Sequence, residues 1–81
     1  CSAASRAYIP RSLWPTVRDQ LTAMMRDVKM GDTRDFSNFM GAVIDKRAHD
    51  RISGCLADAK ANASIVQGGT ADASTGWFVE P

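Results

Sequence analysis

Residues 12–31, SLWPTVRDQLTAMMRDVKMG, are the stretch on which the reading of the fold turns. Trp14, Val17, Leu21, Met24, Met25 and Val28 recur at the spacing of one helical face. Ser12 has the side chain of an N-cap, and Pro15 falls in the first turn, where a missing N–H costs nothing. The spacing predicts a helix to about Met30, closed by Gly31 as a left-handed cap. Upstream the period changes. Ser5 to Pro10 alternate weakly and carry Tyr8 and Ile9, which predicts a short strand ending at the proline.

Downstream, GDTRDFSNFMGAVID (31–45) has too few periodic positions for a helix and too many apolar ones for a disordered linker. A packed loop is expected, with Phe36, Phe39, Met40, Val43 and Ile44 turned inward. Asp45 then caps a second helix whose apolar stripe is Ala48, Ile52, Cys55, Leu56 and Ala59, with Gly54 a weak point worth about 1 kcal/mol against alanine. This helix is expected to fray near Asn62. SIVQGG (64–69) reads as a strand with a glycine turn, ADASTG (71–76) as a polar surface connection, and WFVEP (77–81) as a last strand stopped by proline.

The expected order is β-α-α-β-β, an α/β arrangement with a partly parallel sheet. A parallel strand needs neighbours on both sides, and two amphipathic helices need a sheet to cover. Eighty-one residues do not supply them. Burial at about 25 cal/mol per Å², set against about 1.5 kcal/mol of ordering entropy per residue, leaves a chain of this size near zero net stability. Residues 1–81 are therefore expected to be a segment of a larger domain, incomplete at both ends and not a self-contained fold.

Ten Lys and Arg against nine Asp and Glu give a formal charge of +1, with the signs interleaved. That pattern argues against a nucleic-acid or anionic-membrane surface. Asp45, Lys46, Arg47, Asp50 and Arg51 read as the solvated face of the second helix. No apolar run approaches the roughly 18 residues that span a bilayer. Cys1 and Cys55, two cysteines without a secretory signal, are read as free thiols in a reducing compartment.

Few residues carry chemistry. His49, the single histidine, lies in the charged face of the second helix and has no companions for a metal site, so an exposed or capping role is expected. Gly68-Gly69 lack the lysine and spacing of a phosphate loop and read as a turn. The four methionines read as core filler. Cys55 is expected to face inward, where cysteines are inert. Cys1 remains: a thiol of ordinary pKa near 8.5 is a strong nucleophile once modestly activated.

The segments CSAASRAYIP, SLWP, the helix ending GD, DFSNFMGAVID, and finally GG with GWFVEP together resemble the aldehyde dehydrogenase superfamily from its catalytic cysteine onward, across essentially all 81 residues. Within it, Cys1-Ser2-Ala3 with Ser5-Arg6, Ser12-Leu13-Trp14-Pro15 and the Phe39-Met40-Gly41-Ala42-Val43-Ile44-Asp45 run are similar to the 1-pyrroline-5-carboxylate (glutamate-γ-semialdehyde) dehydrogenase branch. The resemblance implies that the chain is part of one catalytic domain whose parent oxidises glutamate γ-semialdehyde to glutamate with NAD⁺ in proline degradation. Cys1 would be the nucleophile, forming a thiohemiacetal and then a thioester, with its backbone N–H at the oxyanion, a contact worth roughly 3 kcal/mol. Ser2 would hydrogen-bond the substrate α-carboxylate, worth about 1.5–3 kcal/mol. On its residues alone Ser2 also fits a turn or capping hydroxyl, and Arg6 fits a structural salt bridge better than an anion clamp.

The family places its general base, its oxyanion asparagine and its dinucleotide domain upstream, and its ribose-gripping residues downstream. No residue here is assigned to NAD and none to a metal, and the isolated segment is expected to be inactive. The resemblance also implies a small-molecule aldehyde substrate, a homo-oligomer, and a mitochondrial matrix location in a eukaryote or a cytoplasmic one in a bacterium. Two other readings stay open on the residues: an N-terminal-nucleophile hydrolase using Cys1 and its α-amine, and a non-enzymatic helical interaction module built on the Trp14–Val28 stripe.

Overall fold

A computed structural model describes residues 2–81. Its elements run α1 (Trp14–Arg26), α2 (Lys46–Asn62), β1 (Ala71–Asp72) and β2 (Phe78–Val79). The α/β class stands, but the expected first strand does not form, so the order among the described residues is α-α-β-β instead of β-α-α-β-β, and the two-stranded sheet is antiparallel rather than partly parallel. Residues 5–10 carry no strand pairing, and a strand without a neighbour has nothing to hold its backbone N–H and C=O groups.

α1 is shorter than its periodicity suggests. It starts without help from Ser12: the N-cap is Leu13, which makes no side-chain cap bond, and the Leu13 and Trp14 amides donate to the Pro10 carbonyl at 3.0 and 3.1 Å. It ends at Arg26, with Asp27 as the cap, rather than at Gly31. The reason lies in pairing. The Phe39 amide donates to the Lys29 carbonyl at 2.8 Å and the Gly31 amide to the Met40 carbonyl at 3.1 Å, forming a parallel bridge between Met30 and Met40. These bonds draw residues 28–31 out of the helix.

α2 follows its sequence closely. Asp45 is extended, and its Oδ1 accepts the Ala48 amide at 2.7 Å, so one orphan donor of the first turn is satisfied. The half-buried positions 48, 49, 52, 53, 56 and 59 form one helical face, and α2 lays it against β2. Cys55 is not on that face. It sits about 80° round the helix from its centre, exposed, as a correction to the inward position expected for it.

The C-terminal strands also shift. SIVQGG is irregular, whereas the stretch expected as a surface connection contains β1. β1 and β2 pair antiparallel, Ala71 with Val79 and Asp72 with Phe78, and the Glu80 amide extends the ladder to the Thr70 carbonyl at 3.0 Å. The glycine turn is real: Gly68 and Gly69 have φ of +67° and +83°, a region open to glycine at no steric cost. A Cβ on Gly68 would also strike the Pro81 carbonyl oxygen. The Val43 amide donates to the Trp77 carbonyl at 2.8 Å, tying the entry of α2 to β2.

Val79 is the one buried apolar side chain among the described residues, at 9% exposure. The 31–45 loop closes on itself through the Asp32 and Asp35 turns, leaving Phe36 96% and Ile44 91% exposed, with Phe39 also outward. Met40 and Val43 are half-buried as expected. The other three apolar side chains point outward because nothing in this chain lies over them. The accessible area is 6771 Å², against about 4,800 Å² for a compact domain of this mass. The radius of gyration is 14.2 Å, against about 12 Å.

Candidate functional site

The nucleophile expected from the sequence, Cys1, lies outside the described residues. Ser2 is exposed, and its hydroxyl makes no hydrogen bond to any described residue. The turn or capping role open to Ser2 on sequence grounds is thus not seen within residues 2–81. Arg6 is exposed and forms no ion pair among the described residues. The arm carrying them approaches α1 through Pro10, the residue whose carbonyl receives the first two amides of the helix entry.

The structure brings together a second group of residues. An open groove of about 780 Å³ runs between the Met30–Met40 bridge and the hairpin, and its polar lining includes Asp32, Asp72 and Glu80 with Thr33, Thr70 and Thr75. The Arg34 guanidinium grips Asp32 through Nε at 3.0 Å to both carboxylate oxygens and Nη2 at 2.5 Å, which holds the Asp32 carboxyl below its ordinary value. Hydrogen bonds from the Ser74 amide (2.8 Å) and hydroxyl (2.9 Å) do the same for Asp72. Asp32 and Asp72 therefore stay ionised near neutrality, the Asp32 charge paired with the Arg34 guanidinium.

His49 departs most from expectation. Its side chain is 12% exposed and its ring lies 5.6 Å from that of Trp77, tilted by 52°. The exposed or capping role is corrected: His49 occupies the α2 face that meets β2. Its Nε2 and the Ser53 Oγ are both buried without a hydrogen-bond partner, at a cost of about 1–3 kcal/mol for each group left so. The signal was legible, since positions 49 and 53 flank the Ala48–Ile52–Leu56 stripe. Charge at Lys46, Asp50 and Arg51 drew the histidine to the wrong side of the helix. Among the described residues no cluster of histidine, cysteine and carboxylate side chains could hold a metal ion, and no helix is long and apolar enough to cross a membrane.

Residues 1–81, which lead from Cys1-Ser2 through a proline-bearing helix to a capped helix seated on a terminal hairpin, match the aldehyde dehydrogenase family, and the chain belongs to that family. It is 52% identical over 83 residues to the mitochondrial delta-1-pyrroline-5-carboxylate dehydrogenase of Dictyostelium discoideum, and 44% identical over 84 residues to that of Homo sapiens. Each match covers 100% of this chain and 15% of the relative. The solved delta-pyrroline-5-carboxylate dehydrogenase of Mycobacterium tuberculosis superposes with a TM-score of 0.89 at 40% identity, covering 98% of this chain and 15% of that one. The same enzyme with NAD bound gives 0.88. The chain thus spans about 15% of the length of the relatives it matches.

Proposed function

We propose that this chain is the nucleophile-bearing segment of the catalytic domain of an NAD-dependent aldehyde dehydrogenase that oxidises glutamate γ-semialdehyde to glutamate in proline degradation. The observation that carries the reading is the match over the whole chain to relatives from Dictyostelium discoideum to Homo sapiens that bear one activity name. The 6771 Å² of exposed area and the outward Phe36, Phe39 and Ile44 support a segment that the remainder of a catalytic domain covers.

In this reading the Cys1 thiolate adds to the aldehyde carbon, and the carbonyl oxygen takes up the negative charge beside the Cys1 backbone N–H. NAD, held by parts of the parent outside these residues, supplies the hydride acceptor. Cys1 then carries the acyl group as a thioester until water releases it as a carboxylate. The Ser2 hydroxyl donates to the substrate α-carboxylate, favouring a carboxylated aldehyde over a plain one. The parent is a homo-oligomer, mitochondrial in a eukaryote or cytoplasmic in a bacterium, and the segment alone is inactive.

The test is Cys1→Ala beside Cys55→Ala in the full-length protein, assayed for NAD-linked oxidation of the semialdehyde. The expected result is loss of about 10⁴-fold or more in kcat for the first and an unchanged rate for the second. Turnover that survives Cys1→Ala refutes the assignment.

A further inference from the structure

We propose that the Ser53 hydroxyl donates to His49 Nε2, directly or through one buried water, and that this pair pins α2 to the terminal strand. The inference stands apart from the dehydrogenase reading, since it concerns only how the described residues hold together.

Both atoms are closed off from solvent by this chain itself and neither has a partner. Buried polar atoms left unsatisfied are rare, and each calls for a group that completes it. The two residues stand four apart on α2, where side chains are neighbours on one face, and the later side chain leans back over the earlier turn. The nearby carboxylates are engaged elsewhere. Asp50 Oδ2 accepts from Lys46 at 2.6 Å, and its Oδ1 lies 3.9 Å from His49 Nδ1, the other ring nitrogen. Both oxygens of Asp72 accept from Ser74. A turn of the Ser53 Oγ about χ1 therefore offers Nε2 a donor and removes both orphans at once. Nδ1 then carries the ring proton, on the side of Asp50. With Nε2 held by Ser53, His49 keeps its tilt against Trp77, whose carbonyl takes the Val43 amide, so one polar pair sets the seat of the helix on the hairpin. His49 and Ser53 are positioning residues in this arrangement.

The test is hydrogen–deuterium exchange of the full-length protein, read on peptides covering α2 and residues 77–81, for His49→Phe, Ser53→Ala and the double variant. Each single variant is expected to speed exchange about three- to tenfold by stranding its partner, and the double variant is expected to be no faster than either single one. Ser53→Thr, which keeps the hydroxyl, is expected to restore the original rate. Rates in the double variant equal to the product of the two single factors overturn the pair. Should His49→Phe fail to fold, the Ser53→Ala and Ser53→Thr contrast decides together with a crystal structure of the full-length protein. A Ser53 Oγ on the His49 carbonyl, with Nε2 bonded elsewhere, overturns the proposal. An Oγ or a shared water on Nε2 upholds it.

Discussion

The stretch from Val43 to Glu80 packs a helix face on a paired hairpin, whereas in a second part of the chain the stretch 2–13 lies largely exposed and the loop 32–39 closes only through its own turns. The first has a side-chain cap at Asp45, a helix face against β2, a paired hairpin and the one buried apolar side chain. The second has a free Ser2, a Tyr8 that is 94% exposed and outward phenylalanines at 36 and 39. Cys55 belongs to the first stretch but lies on the exposed side of α2. Apolar content does not make the difference, since both stretches carry aromatics. Local satisfaction does: α2 and the hairpin find partners within about 35 residues of sequence, while the aromatic side chains of the arm and the loop meet nothing among the described residues. Under the proposed function, the residues assigned to chemistry, Cys1 and Ser2, head the exposed stretch of the sequence and stand apart in it from the α2 and hairpin unit.

That contrast can be broken from either side. The largest effect is expected at Ser2: Ser2→Ala in the full-length protein lowers kcat/KM for the carboxylated aldehyde by about 10- to 150-fold, from the loss of a hydrogen bond to a charged group, and leaves a plain aldehyde nearly unaffected. Equal losses on both substrates would show Ser2 to be structural. Next is Val79→Ala, which empties the centre of the self-closing half and is expected to cost about 2 kcal/mol in denaturant unfolding with KM unchanged. Asp45→Ala follows at about 1 kcal/mol, since it frees the Ala48 amide.

The smallest effect is that of acid. Asp32, Asp35, Asp50 and Asp72 are held below their ordinary value of 3.8, chiefly by hydrogen bonds from Arg34, from Ser37, from Lys46 and from Ser74 respectively. A carboxyl whose folded value is depressed binds protons more readily when unfolded, so its contribution is present above pH 3.8 and is lost as the pH falls through the lowered value. All four are solvent-exposed, so the far-ultraviolet circular dichroism of the folded protein is expected to stay flat from pH 7 to about 5 and to weaken only below 4. A transition near pH 6 would place the sensitivity elsewhere.

Much of this was legible in the residues, and the pattern of what was not follows the same division. Asp45 ahead of a charged, periodic run announced α2 and its cap because that interaction lies within three residues. Gly68-Gly69 announced a turn because only glycine takes positive φ cheaply. The end of α1 was hidden because Lys29 and Gly31 leave the helix for Phe39 and Met40, a pairing that no local propensity encodes. No strand forms at 5–10 for the converse reason: alternation describes a surface suited to pairing and does not provide the neighbour. His49 is hard to place from sequence because the charges at Lys46, Asp50 and Arg51 around it mask the stripe position it occupies. The dehydrogenase resemblance was carried by the order Cys1-Ser2, Trp14-Pro15, Phe39 to Asp45 and Gly76 to Pro81, which no single motif supplies.

The most direct measurement is acid quenching of the full-length protein during turnover of glutamate γ-semialdehyde with NAD⁺, followed by peptide mass spectrometry of both cysteines. An acyl thioester on Cys1, with Cys55 unmodified, is the expected result. Turnover with Cys1 never acylated, or an acyl group found on Cys55 instead, would contradict the account.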